Sequence, residues 1–598
     1  MNEYIAPLKD MHFLLHDMAG LSQVHELPAY DEVDAALVEA VLEEAGKFAH
    51  EVLSPLNRTG DQEGARLGSD GVRMPKGWPE AFKQFSEGGW TSLSASKEFG
   101  GQQLPQLVAA FVEEIWNGAN LAFTLSPMLI RCAQQVLESR GTEEQKRTYL
   151  PNLVSGVWSG TMALTEPHAG SDVGAIKSKA VKQPDGSYRL TGQKIFITYG
   201  DHDMTENIVH LVLARVEAAP EGSKGISLFI VPKILLNADG SLGAPNDVRA
   251  ISLEHKMGIH ASPTCVMAFG EGAGATAYLV GEQNRGLENM FVMMNAARFA
   301  VGLEAVGISE RAYQLASDYA KERVQGTEIG SASGERVAII KHPDVRRMLL
   351  SMKSRVEAMR AISCSIAVSM DIAGNHPSDA SRRRHQGLVE LLMPIAKGWF
   401  TENAVDITSQ GIQVHGGMGY IEETGAAQFY RDSRISAIYE GTTGIQANDL
   451  VSRKVARDGG TTIRTLIDEM KHTTGQLAQS EDGALSAIGT LLREGVAGLE
   501  VSVNFIVTTF SNDQRKVFAG AVPFLDLFGT VVGGWELARC ALVAAEKLNS
   551  SDQDQRFYFT KIQTARFYAD HILINARSLA NSVVNGHHAI LTLDETYF

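Results

Sequence analysis

The stretch IYEGTTGIQ, residues 438–446, sets the carboxylate of Glu440 between an aromatic side chain and a glycine. A carboxylate packed against apolar neighbours has a raised pKa, and a base of that kind can remove a proton from carbon. The structural alternative is a helix start, with Glu440 near the N-terminal end of a helix running through Gln446, Asp449, Leu450 and Lys454. These residues taken alone leave both readings open.

Three other stretches carry residue types suited to ligand binding. In MALTEPHAGSDVGAIKSKA, residues 162–180, Gly170 permits close backbone approach, and Thr165 and Ser171 offer hydroxyls to an anion or a heterocycle. A plain connecting turn has the same composition. In GQKIFITYG, residues 192–200, strand periodicity puts Phe196 and Thr198 on one face and Ile195 and Ile197 on the other. Such a face either flanks a flat cofactor or is core beside a polar edge. In QVHGGMGYIEETGAAQFYRDSRI, residues 413–435, Gly416 and Gly417 allow tight approach, yet their spacing matches neither phosphate-binding glycine motif. His415 has no second ligand at i+4 and reads as structural, so no metal site is expected.

The positioning elements follow from periodicity. From about Asp31 to Ser155 apolar residues recur at three- and four-residue spacing, as in Val33, Leu37, Val38, Val41 and Leu42, which predicts an all-helical block. Then Tyr188–Thr198, Ile208–Val216 and Ile226–Val231 are short, β-branched and bounded by Gly, Asp and Pro, which predicts a small antiparallel β domain between roughly 160 and 280. Helical spacing returns from Leu287 to Gly459, and its first long segment is expected to break near Arg298 or to continue as a bundle pair. Past RDGGTT at 457–462, a candidate linker, amphipathic segments are expected near 483–511, 523–549 and 555–583.

At 598 residues the chain exceeds what one core usually serves, so about two to four domains are expected. A formal charge of -16 argues against nucleic acid or an anionic membrane as the main partner. Cys132, Cys265, Cys364 and Cys540 lack any paired spacing and are expected to be buried free thiols. The N-terminus, with Glu3, Asp10 and Asp17 around a broken apolar run, does not read as a signal peptide, and the run near Val531–Ala545 is interrupted by Glu536 and Arg539. A cytoplasmic protein without a membrane span is the expectation.

In order and separation these stretches resemble the acyl-CoA dehydrogenase family over about residues 36–455, through ALTEPHAGSDVGAIKSKA, GQKIFIT, GIQVHGGMGY, YRDSRI and AIYEGTTGIQ. The opening YIAPLKDMHFLL and the C-terminal helices look like the larger branch of that family. The resemblance implies a mainly α chain with a central antiparallel β domain: an N-terminal extension (1–35), a helical domain (36–158), a β-barrel domain (159–280), a four-helix bundle (281–458) and an appended helical domain (459–598).

It further implies FAD, with Met162, Leu164, Thr165, Gly170, Ser171, Phe196 and Thr198 at the flavin and its ribityl chain and Thr442 at the pyrophosphate. Arg323, Gln413 and Gly417 would reach the FAD of a neighbouring subunit, which implies at least a dimer, with a homodimer expected, and Gly416 would also bind the cofactor. Substrate contacts would come from Ser171, Asn295, Arg298, Tyr439 and Gly441. Glu440 would be the base, taking the pro-R α-proton while a β-hydride passes to the flavin, with the backbone N–H of the glutamate aimed at the thioester oxygen.

By the same resemblance the product is a trans-2-enoyl-CoA and the electron acceptor an electron-transfer flavoprotein. The segment GDHDMTENIVHLVLAR points to 3-(methylthio)propanoyl-CoA or another short- to medium-chain acyl-CoA, the alternative being a long-chain substrate of β-oxidation. Two departures bear on the carry-over: the segment after Arg323 is longer than is usual, and Asn295 replaces an aspartate near the CoA portion. An acyl-CoA oxidase and a DNA-associated member of the same fold rank lower, the second because residues 459–598 carry more acidic than basic side chains.

Overall fold

The main sheet is built from eight strands: β1 (Trp158–Ala163), β2 (Lys179–Lys182), β3 (Tyr188–Thr198), β4 (Asn207–Val216), β5 (Ile226–Pro232), β6 (Val248–Leu253), β7 (Thr264–Phe269) and β8 (Ala275–Val280). The computed structural model describes residues 4–330, 332, 334–550 and 553–598, and Glu3 of the N-terminal stretch lies outside the described residues. The chain forms two compact units, one of Lys47–Pro105 and Ala119–Ala300, the other of Met1–Gly46, Gln106–Gly118 and Val301–Phe598.

In the first unit the strand order is β6-β7-β3-β8-β5-β4-β1, with β2 pairing both β3 and β4. The domain is mainly antiparallel, as expected, with the exception that β1 and β2 each run parallel to β4. A parallel pair needs a long crossover, and residues 164–206 supply it. β4 is buried at eight successive positions instead of alternating, as a strand covered on both faces is. Tyr188, Leu190, Ile197, Val212, Phe229, Val231, Met267 and Phe269 fill the interior.

The block expected to be all helical contains a hairpin, Arg66–Gly68 with Gly71–Arg73, where Gly71 adopts φ 111°. Helix α1 (Gln106–Arg140) breaks at Asn120 (φ -159°, ψ 88°), whose Oδ1 accepts from Phe123 N at 3.1 Å and so caps the second half. Its first turn is satisfied across the fold: Asp371 accepts from the backbone N–H groups of Gln106 and Leu107 at 2.8 and 3.0 Å. Helix α2 (Gly286–Glu322) runs unbroken through Arg298, so of the two expected alternatives the break does not occur. It has no proline, and its glycines lie against other backbones, with a Cβ at Gly302 meeting Ala396 O at 3.0 Å.

The second unit continues with α3 (Pro343–Asn375), α4 (Asp379–Pro394), α5 (Phe400–His415) and α6 (Thr443–Asp449). After them come α7 (Thr461–Ala478), α8 (Gly483–Thr509), α9 (Ala521–Ser550), α10 (Gln555–His571) and α11 (Ala576–Asn585). Helix α7 was not anticipated, and the segment expected at 555–583 is two helices parted at Leu573–Asn575. The apolar stripe of α9, Leu525, Phe528, Val532, Trp535 and Leu537, is buried within this unit. Gly529 admits the Trp399 ring so closely that a Cβ there would lie 2.3 Å from it, and Tyr568 donates to Thr530 O at 3.1 Å. Helices α2 and α9 are long and apolar enough to cross a membrane, but 72% and 83% of their apolar windows are buried in the protein.

Candidate active site

In the first unit, β3 and the segment 164–178 are held together by one buried ion pair. Lys194 Nζ donates to Leu164 O at 2.8 Å and to Glu166 Oε1 at 2.9 Å, while Thr165 O accepts from Ile195 N at 2.9 Å. Glu166 folds the rest of the segment onto itself, accepting from Lys177 N, Ser178 N and Ser178 Oγ at 2.6, 3.0 and 2.6 Å. Burial pushes the Glu166 carboxyl up, but the Lys194 ammonium and these donors outweigh it and hold the carboxyl below its ordinary range. Burial pulls Lys194 down to about 8 against the attraction of Glu166.

This clamp sets the placement of Leu164, Thr165, Gly170 and Ser171. Replacing Lys194 with Met leaves Glu166 buried without its ammonium partner and frees the segment. FAD retained per chain after gel filtration is expected to fall about tenfold, and full flavin content in the variant would show that the clamp does not govern the cofactor.

A bulge decides where Phe196 points. Lys194 pairs with Met267 and Ile197 with Cys265, so Ile195 and Phe196 together oppose the single residue Val266. Without the bulge Phe196 would share the inward face with Tyr188, Leu190 and Lys194; with it Phe196 takes φ 60° and is 58% exposed, and Ile197 turns inward instead. Thr198 is half-buried. Met162, on β1, is half-buried too, and Asn295 accepts from Arg298 Nη1 at 3.3 Å on α2.

In the second unit Glu440 has a positive φ of 54°, rare for a non-glycine residue, and Gly441 follows at 92°. Left-handed backbone costs an L-residue about 1–2 kcal/mol and persists where the surroundings impose it. Gln446 Nε2, fully buried, donates to the carbonyls of Glu440 and Gly441 at 3.2 and 3.3 Å. A helix does start here, but its cap is Thr442, whose hydroxyl accepts from Ile445 N, so Glu440 precedes the helix and does not cap it. On the other side the Tyr439 hydroxyl donates to Glu304 of α2. Burial, reinforced by the Glu440 charge, pushes Glu304 up to about 8, against the Tyr439 hydrogen bond and Lys397.

A second cluster lies at the far end of α2. His415 Nδ1 donates to Gly411 O at 2.7 Å and the ring stacks on Tyr319 at 4.4 Å, a structural histidine. This stack brings Arg323, Gln413, Gly416 and Gly417, all exposed, to one end of the helix. Glu304 and Tyr319 are separated by roughly 22 Å along α2 at 1.5 Å per residue, so the two clusters are not one site within a single chain.

The residues fit a flat, anionic cofactor bearing hydroxyls. In the first unit Phe196 offers an exposed ring, Thr165, Ser171 and Thr198 offer hydroxyls, and a Cβ built at Gly170 meets nothing within 4 Å. Sequence reasoning missed Glu304, Lys397 and the Lys194–Glu166 pair. A signal for the first was present, a carboxylate inside the apolar run FAVGLEAVG.

The barrel and bundle are those of the acyl-CoA dehydrogenase fold. Models of the N-terminal, middle and C-terminal domains of acyl-CoA dehydrogenase match residues 38–157, 161–271 and 284–455, and one described as acetyl-CoA dehydrogenase C-terminal like matches 466–594. The chain is 45% identical to 3-methylmercaptopropionyl-CoA dehydrogenase of Ruegeria pomeroyi, over 98% of this chain and 99% of that one. It is 34% identical to the broad-specificity linear acyl-CoA dehydrogenase FadE5 of Mycobacterium tuberculosis, over all of both chains. In fold it is similar to Caenorhabditis elegans ACDH-11 in complex with C11-CoA, with a TM-score of 0.75 at 21% identity over 96% and 93% of the two chains. The chain belongs to the acyl-CoA dehydrogenase family: it is an FAD-dependent oxidoreductase acting on acyl-CoA.

Proposed function

We propose that this enzyme introduces an α,β double bond into a short acyl-CoA of the 3-(methylthio)propanoyl class, with Glu440 as the base that removes the α-proton. The observation that carries the reading is the left-handed backbone of Glu440, fixed on one side by Gln446 and on the other by Tyr439. A base must be held at the α-carbon while negative charge develops on the thioester oxygen. The backbone N–H of Glu440 is the donor we assign to this oxygen. Bound FAD supplies the acceptor for the hydride leaving the β-carbon.

Phe196, Thr198, Thr165 and Ser171 hold the cofactor, with Met162, Leu164 and Gly170 lining its approach and Thr442 at its pyrophosphate. Asn295, Arg298 and Gly441 contact the substrate. The roughly 22 Å between the Glu440 and Arg323 clusters supports a homodimer in which Arg323, Gln413, Gly416 and Gly417 serve the partner's cofactor. An electron-transfer flavoprotein takes the electrons onward.

The 45% identity over the whole chain supports the methylthiopropanoyl class. The 34% relative, named for broad specificity toward linear acyl-CoAs, supports a second reading with a wider range of chain lengths. Anaerobic bleaching of the flavin band by methylthiopropanoyl-, butanoyl- and palmitoyl-CoA tests both. Rapid bleaching by the first two is expected, and bleaching by palmitoyl-CoA alone would overturn the short-chain reading.

A further inference from the structure

We propose that Glu304 is a positioning residue for the reaction: it anchors the Tyr439 hydroxyl and thereby fixes the turn that presents Glu440. The inference rests on Glu440 being the base.

Three observations carry it. Glu304 is 2% exposed in the middle of α2, where a carboxylate costs desolvation energy that a small apolar residue would avoid. It accepts from Tyr439, the residue immediately before Glu440 and 135 positions away in sequence. Glu440 itself stands at φ 54°, a conformation that needs restraint from both neighbours, and Gln446 supplies only the C-terminal one. Tyr439 is the N-terminal restraint, since its own backbone N–H is already committed to Ile435 O at 3.1 Å and its hydroxyl to Glu304.

The charged and titratable groups facing Glu304 are Tyr439 and Glu440 from the segment before α6 and the buried Lys397 from the turn Ile395–Trp399. Two carboxylates this close ionise in succession. At neutral pH Glu304, pushed up to about 8, keeps its proton. When Glu304 ionises, its charge makes Glu440 a stronger base.

The test follows loss of α-deuterium from a 3-thia acyl-CoA in water, which reports the base without requiring oxidation of the substrate. Tyr439→Phe and Glu304→Leu are each expected to slow exchange about ten- to hundredfold with flavin content unchanged. The double variant should be no slower than the worse single one, because both break the same contact. Glu304→Gln keeps an acceptor for the Tyr439 hydroxyl and should restore exchange at pH 7. The parent's pH profile should show a second rise near pH 8 that Glu304→Gln lacks.

Wild-type exchange in Tyr439→Phe, additive losses in the double variant, or an identical pH profile in Glu304→Gln would each overturn the proposal. Tyr439→Phe removes a single oxygen and decides the matter even where Glu304→Leu does not fold. Glu440→Gln in the same assay separates the two levels: retained exchange there sinks the base assignment itself. Loss there beside normal exchange in the Glu304 and Tyr439 variants sinks only the role of Glu304.

Discussion

Glu440→Gln is expected to retain FAD and to lose at least about a hundredfold in turnover with any acyl-CoA. The amide keeps the size of the side chain and the backbone bonds from Gln446 to the carbonyls of Glu440 and Gly441, so the site stays assembled. What disappears is the carboxylate basicity that takes the α-proton. The loss should fall on kcat and kcat/KM together, because the missing interaction exists only in the transition state. Glu440→Asp separates chemistry from geometry: the base is kept but withdrawn by one methylene, and an intermediate loss is expected. Normal turnover in Glu440→Gln would mean that another group removes the proton.

The largest effect on stability is expected from Arg360→Met. Arg360 is 1% exposed and lies among three carboxylates: its Nε donates to Glu114 at 2.7 Å, its Nη2 to Glu310 at 2.7 Å, and its Nη1 reaches Asp10 at 3.3 Å. Asp10 also pairs with Lys561 at 2.5 Å, and Lys561 with Glu357 at 3.0 Å, so the network ties the N-terminal segment to α10 of the appended helices. Methionine fills most of the volume but leaves three buried carboxylates without their shared cation, a loss of about 3–5 kcal/mol.

A lower denaturation midpoint at pH 7, or a shorter half-life at fixed temperature, reads this out. The sign with pH is set by Asp10. Burial alone would raise its carboxyl, but Lys561, Lys353 and Arg360 hold it well below the usual range. Its contribution is therefore complete above the unfolded carboxylate value and is lost only as pH falls through the depressed folded one. The gap between parent and variant should narrow in strong acid. A midpoint unchanged at pH 7 would mean that the carboxylates are neutralised in some other way.

Lys561 and Arg360 also bear on the appended helices. An apolar stripe such as that of α9 is suited by its spacing either to cover the bundle or to complete a dimer. Its burial against Trp399 and α10 within one unit accounts for the stripe without a second subunit. Local periodicity predicted the stripe, because a helix repeats every 3.6 residues whatever it packs against. What it packs against depends on contacts beyond the helix itself, with α10 next along the chain and with Trp399 more than a hundred residues away.

Short-range patterning along the chain laid down the succession of helical, strand and helical blocks and the bounds of β3 at Tyr188 and Thr198. Each of these is written in short-range spacing or in the residue types themselves. Tertiary structure alone decided that Phe196 turns outward, because a bulge against Val266 overrides the two-residue alternation. It alone joined Lys194 to Glu166 and Glu304 to Tyr439, and it alone held Glu440 in a left-handed turn. No local propensity favours positive φ at a glutamate or a buried carboxylate in an apolar helix. Both exist because distant partners hold them there, and the spacing of residues along a chain does not record which distant partner that is.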